Sequence, residues 1–291
     1  MAEVRNSATH RERLALVHRF SEVVGTSNDD EKIDLLLGSL LIAETEYPQL
    51  RPELYIRHIE ELAVRVRAYI PESYDTASTI QAINRVLYEE EKLRGNNEDY
   101  YDPRNSFLND VLDRKLGLPI SLAVIYMEVA RRVGLPLFGV GMPGHFLLKH
   151  YDVDGRETLI DCFEAGKIVS ASDCQRHLDK IYSGQLTLQS DFLLTLPRRQ
   201  ILMRMLNNLR STYLTRRNFR KALQIVDLIL AIYPRSPEDV KQRAVLRNQS
   251  GQLGRALEDF DLYLKMSPEA SDADEIRQVA LSIRRRLATF N

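Results

Sequence analysis

Between Asp102 and Phe163 the chain sets out a polar loop, a buried helix, a sharp turn and two apolar strands, an order few folds accommodate. The loop is Asp102-Pro103-Arg104-Asn105-Ser106. The helix follows Gly117-Leu118-Pro119 and runs through Ile120, Leu122, Ala123, Val124, Ile125 and Tyr126 with scarcely a polar side chain. Gly134-Leu135-Pro136 ends it, and an apolar stretch then carries His145 directly after Gly144. Asp161 lies in a second apolar stretch, Thr158-Leu159-Ile160-Asp161-Cys162-Phe163. This layout can bring an imidazole and a carboxylate together, which is part of a nucleophilic triad. The missing part is a thiol at the helix start, where free N–H groups would favour an anion.

The rest of the chain supplies helices. Leu14, Val17, Phe20 and Val24 recur at helical spacing. Asn28 or Asp29 can cap a second helix through Ile33, Leu36, Leu37, Leu40 and Leu41, which Tyr47-Pro48 closes. Pro52 opens a third with Leu54, Ile59, Leu62, Val66 and Ile70 on one stripe. A fourth covers roughly residues 76–93, with Ile80, Ile83, Val86 and Leu87 inward, before the polar loop at 95–99.

The final third repeats itself. A shift of 34 residues lays Phe219 on Leu253, Ala222 on Ala256, Leu223 on Leu257, Asp227 on Asp261 and Pro234 on Pro268. Small alanines let paired helices approach, and a proline ends each unit. This is the tetratricopeptide period. Two repeats span about 202–235 and 236–269, with a helix near 272–289 covering the open end. Its terminal Arg284-Arg285-Arg286 suits the negative end of a helix dipole.

Composition narrows the function. The chain has 291 residues, 44% hydrophobic and 28% charged, with no apolar run near the roughly 20 residues that span a bilayer. Its N-terminus lacks the apolar core of a secretory signal, so a cytoplasmic protein is expected. Cys162 and Cys174 are then free thiols. Scattered histidines without CxxC or HxxxH spacing point to no metal, and no cofactor motif is present. The net charge of −1 hides a basic rear and an acidic front, which suggests an electrostatic interface within the chain or a basic face for an acidic partner. Arg210, Arg216, Arg217, Arg220 and Lys221 are the basic residues that would meet the front half.

The elements DPxNSxLN (102–109), GxPISLA (117–123) and PGHF (143–146) together resemble the SirB-type transglutaminase-like family over essentially the whole chain. The resemblance implies an α+β fold in three parts. These are an N-terminal helical region (1–95) packed on the core, a transglutaminase-like, papain-like core (96–195), and tetratricopeptide-like helices (196–291). It also implies His145 and Asp161 as the positions of the superfamily's catalytic histidine and aspartate. Such cores place the nucleophilic cysteine four residues before an alanine and about fifteen before a Gly-Leu-Pro turn. Counting back from Ala123 and from Gly134 reaches Pro119 both times, and proline cannot serve.

Ser121, in the first turn of the helix, is the best substitute nucleophile, or else simply a helix cap. Cys162 adjoins Asp161, but alternation along a strand turns one away when the other faces His145. Asn105, Ser106 and Asn109 either line the same cleft or cap the loop. His145 and Asp161 are a working base and its orienter, or a pair kept for structure.

Two functions compete. The preferred one is a protein-interaction scaffold whose core lacks the nucleophile and whose repeats hold a protein or peptide. The alternative is an acyl-transfer enzyme, a hydrolase or amide-processing protein, using Ser121 or another nucleophile with His145 and Asp161. Nucleic-acid binding lacks a recognition signature. Oligomeric state is not legible.

Overall fold

The computed structural model describes residues 2–25, 30–73 and 75–289, with side chains from residue 11 onward. They are mixed α+β and form two compact units, residues 27–205 and residues 1–26 with 206–291.

The chain opens with α1 (Ala2–Val24), then α2 (Leu35–Ala43), α3 (Pro52–Arg67) and α4 (Thr76–Asn84). The caps expected at Asn28 or Asp29 lie outside the described residues. The α2 cap is Asp34, whose carboxylate accepts the Leu37 N–H at 2.9 Å. α4 widens into a π-helical turn over Arg85–Glu90, so the expected long helix changes its winding before Leu93.

Next come β1 (Arg94–Gly95), α5 (Leu108–Arg114), β2 (Leu116–Gly117) and α6 (Pro119–Arg132). β1 and β2 pair in parallel, fixing the loop beside the start of α6. α6 is buried at every residue from Pro119 to Ala130, as its apolar sequence requires.

β3 (Phe138–Val140), β4 (Leu147–Tyr151), β5 (Glu157–Asp161) and β6 (Lys167–Val169) follow, then α7 (Ala171–Tyr182) and β7 (Thr195–Leu196). These strands form one antiparallel sheet in the order β6-β5-β4-β3-β7. Leu148 stands opposite Ile160 and Val140 opposite Leu147. Val140, Leu147 and Leu159 pack with Cys174 and Leu178 of α7, while α6 packs against β4.

The remaining helices are α8 (Arg198–Thr215), α9 (Phe219–Ile232), α10 (Pro237–Gln249), α11 (Leu253–Met266) and α12 (Ala273–Ala288). The repeat register is visible in them. Phe219 and Leu253 each begin a helix, Ala222 and Ala256 are fully buried, and Pro234 and Pro268 each follow a helix end. α1 packs on α9 in this unit, where the sequence grouped it with the core. The cause is α9 itself: nine of its residues, from Ala222 to Ile232, are buried and need cover on several sides. Arg210, expected to face the acidic front, instead donates to Asp239 at 2.6 Å and Gln242 at 3.0 Å inside the repeat unit.

Candidate functional site

His145 does not lie in a strand. Pro143 has no N–H for a ladder and Gly144 takes φ +71°, so the chain turns after β3, and the His145 N–H donates to Met142 O at 3.0 Å. A Cβ at Gly144 would lie 2.7 Å from the tip of the Ile181 side chain of α7, and the positive φ strains any other residue there. The turn aims the imidazole at the end of β5.

There His145 Nε2 and Asp161 Oδ2 meet at 2.8 Å, both residues buried. Asp161 Oδ1 accepts the N–H groups of Phe163 (2.9 Å) and Glu164 (3.3 Å). Burial works to raise the Asp161 pKa. The bond to His145, its charge and the two amides outweigh that, and the carboxyl titrates below the ordinary aspartate range.

Two neighbours complete the surroundings, and neither was legible in the sequence. His177 of α7 stacks on His145, ring centres 4.2 Å apart. Its Nε2 is buried without a hydrogen-bond partner. Burial, then the charge of His145, lower its pKa. Phe163 stands edge-on to His145 at 6.3 Å. The one sequence signal for His177 was its place on the helical stripe of Cys174 and Leu178.

Ser121 is fully buried. Its hydroxyl donates to the Asn105 carbonyl at 2.6 Å and accepts the Leu118 N–H at 2.9 Å. The serine thus joins the helix start to the preceding loop, and no hydrogen bond among the described residues joins it to His145. Asn105 is itself tied down, donating to the Asp99 carbonyl and accepting from Asn96. Asn109 and Ser106 are buried in the same segment. Pro119 is the first residue of α6.

Neither thiol is activated. Cys162 is fully buried just past the end of β5, its carbonyl accepting the Tyr88 hydroxyl at 3.1 Å, and burial pushes its pKa far up. Burial, with Asp173 and Asp161 nearby, also raises Cys174. No group of three metal-binding side chains occurs among the described residues.

A transglutaminase-like superfamily model matches residues 53–207, and a tetratricopeptide repeat model matches residues 209–280. A UPF0162 protein of Xylella fastidiosa is 37% identical over 252 residues, covering 86% of this chain and 89% of that protein. The chain belongs to the transglutaminase-like superfamily and to the UPF0162 family. A UPF0162 protein of Vibrio cholerae is 25% identical, covering 86% of this chain and 92% of its own length. F-box only protein 21 of Mus musculus is 33% identical over 173 residues, 54% of this chain but 26% of that longer protein. The sheet that ends in Asp161 and the turn that carries His145 thus lie within the transglutaminase-like part of a UPF0162 protein, and α9 to α11 lie within its tetratricopeptide part. No described helix is long and apolar enough to cross a membrane.

Proposed function

We propose that this UPF0162 protein is a protein-interaction scaffold whose transglutaminase-like core has no working nucleophile. The observation that carries the reading is Ser121. The best candidate hydroxyl gives its proton to the Asn105 carbonyl, so a base at His145 has no proton to take from it. Pro119 heads α6 where the superfamily's thiol is expected, and both cysteines are buried with raised pKa values. His145 and Asp161 then serve as a buried pair that holds the turn after β3 against the end of β5.

Tetratricopeptide repeats generally hold protein or peptide segments, which supports a protein partner. The likeness of the core to a quarter of a much longer protein supports a module that works beside other domains. Free Cys162 and Cys174 suit a reducing compartment, the cytoplasm.

The test is acyl chemistry on the full chain. A fluorophosphonate probe and a panel of acyl thioesters are offered to the protein, to Ser121→Ala and to His145→Ala. The expected result is no labelling or turnover above that of the variants. Turnover lost in both variants, with unchanged circular dichroism, would establish the acyl-transfer enzyme and end the scaffold reading.

A further inference from the structure

α7 covers the buried His145–Asp161 pair with a histidine that has an unsatisfied nitrogen. His177 is half-buried and lies on the His145 ring, centres 4.2 Å apart and planes tilted by 33°. Its Nε2 is buried without a hydrogen-bond partner. A neutral imidazole leaves one unpaired acceptor there. A protonated one would carry an N–H and a charge into the same place, which costs more. The titratable and charged side chains that face His177 are His145 of the turn, Asp161 at the end of β5 and Lys180 of α7 itself. His145 and Lys180 oppose a positive charge on the ring, whereas Asp161 and the Gly144 backbone favour it. Asp161 is already engaged, one oxygen with His145 and the other with the Phe163 and Glu164 amides. Burial and then His145 prevail, and His177 titrates below the ordinary histidine range.

Any movement falls on α7, because the turn beneath it is pinned from two sides. Asp161 holds the His145 ring, and Arg204 of α8 donates to the Gly141, Met142 and His145 carbonyls at 3.2, 3.4 and 3.0 Å. α7 itself rests on two adjoining lines of side chains. Cys174 and Leu178 sit in the apolar cluster with Val140, Leu147 and Leu159 of the sheet. His177 and Ile181, also four residues apart, meet the turn, His177 at the His145 ring and Ile181 at Gly144. Ile181 and Tyr182 are exposed on their outer side, and Ser183 and Gly184 end the helix in left-handed conformations, φ +54° and +75°. The second line therefore has water beside it, and the first line can hold the helix on the sheet while the second lifts.

We propose that His177 is a pH-sensitive latch: proton uptake lifts the His177–Ile181 line of α7 off the turn and uncovers the His145–Asp161 pair. The open form gives the charged imidazole the water that the closed form denies it. The closed form binds the proton less well, so closure is fully favoured above the ordinary histidine range, about pH 6.5. It weakens as pH falls below that range. The latch goes beyond the scaffold reading and does not rest on it, since it controls access to the pair whatever the pair does.

Hydrogen exchange on the full chain tests this, read by NMR as protection factors of the α7 amides at about pH 7.5 and about pH 5.5. Protection from Gln175 to Tyr182 should fall by up to about tenfold at the lower pH, the ratio set by an open-state histidine titrating near 6.5. The α6 amides should hold theirs, which separates local opening from a general loss of stability. His177→Phe keeps a ring against His145 but cannot take a proton, and it should abolish the pH dependence. If that variant alters the fold, His177→Gln, smaller and also without a charge, should do the same. If neither variant folds, the wild-type ring signals decide: the loss of α7 protection should follow the titration of His177 and not that of His145. The proposal is overturned if α7 protection does not change with pH, or if α6 loses protection together with α7. It is equally overturned if the change persists in a folded His177 variant or follows the His145 ring.

Discussion

Asp161 beside His145 and Asp227 on α9 are about equally buried, 6% and 7% exposed, yet their surroundings push them in opposite directions. Burial raises both. At Asp161 it is overcome by one histidine at 2.8 Å and two backbone amides aimed at the other oxygen. Asp227 has more positive charge near it, Arg13 at 3.0 Å and Arg243 at 3.7 Å with Arg247 close by, but its pKa is raised. The difference is alignment. Its Oδ2 has no donor with hydrogen-bond geometry, and Arg243 turns its fork on Asp259, with Nε and Nη2 donating at 3.0 and 2.7 Å. Well-aimed donors stabilise a buried carboxylate more than a larger number of nearby charges.

The largest effect should come from breaking the Asp227 side of this comparison. Arg13→Ala removes the nearest cation from a carboxylate with little access to water, and loss of one partner of a buried pair costs about 3 kcal/mol. Chemical denaturation should show it as a lower midpoint, and the drop should shrink when Asp227→Asn removes the stranded charge as well. A midpoint within error of wild type would mean that α1 is held on α9 by its apolar residues, Phe20 and Val24, alone.

Titration should sharpen the same contrast. Asp161 has a depressed pKa in the folded chain, so its contribution to stability is present above the ordinary aspartate range, about pH 4, and is lost as pH falls through its folded pKa. Asp227 is raised, so its contribution is present below that range and is lost as pH rises through its folded pKa. Between about pH 3 and 7, the stability gap between wild type and Asp161→Asn should widen up to the ordinary aspartate range and level off above it. The gap between wild type and Asp227→Asn should move the other way. Denaturation midpoints across that range measure both, and parallel slopes would contradict the proposed difference in alignment.

What could be read in advance follows the same physical division. The repeat register was legible because Ala222 and Ala256 answer a local need for close helix approach and Pro234 and Pro268 a local need to stop. His145 and Asp161 were legible as neighbours because each adjoins an apolar strand of one small sheet. His177 was not, because α7 reaches the site by tertiary packing that its own helical stripe does not report. Ser121 was ambiguous for a related reason. Its partner is the carbonyl of Asn105, and a backbone acceptor has no residue type to recognise. The place of α1 on α9 was hidden likewise, since nothing in its own pattern says which apolar helix it covers.

The smallest effect belongs to Asp261, which occupies the same repeat position as Asp227 34 residues later. The register is shared but the burial is not. Asp261 is partly exposed and accepts both oxygens' bonds from Arg284 of α12, at 2.7 and 2.9 Å, with the arginine half in solvent. Water screens such a pair, so Asp261→Asn should change stability by no more than about 0.5 kcal/mol, and added salt should erase the change. Equal losses from Arg284→Ala and Arg13→Ala would show that repeat position, not burial, decides what these ion pairs contribute. The expected ordering, Arg13 far above Arg284, instead assigns the energy to α1, which closes over Asp227.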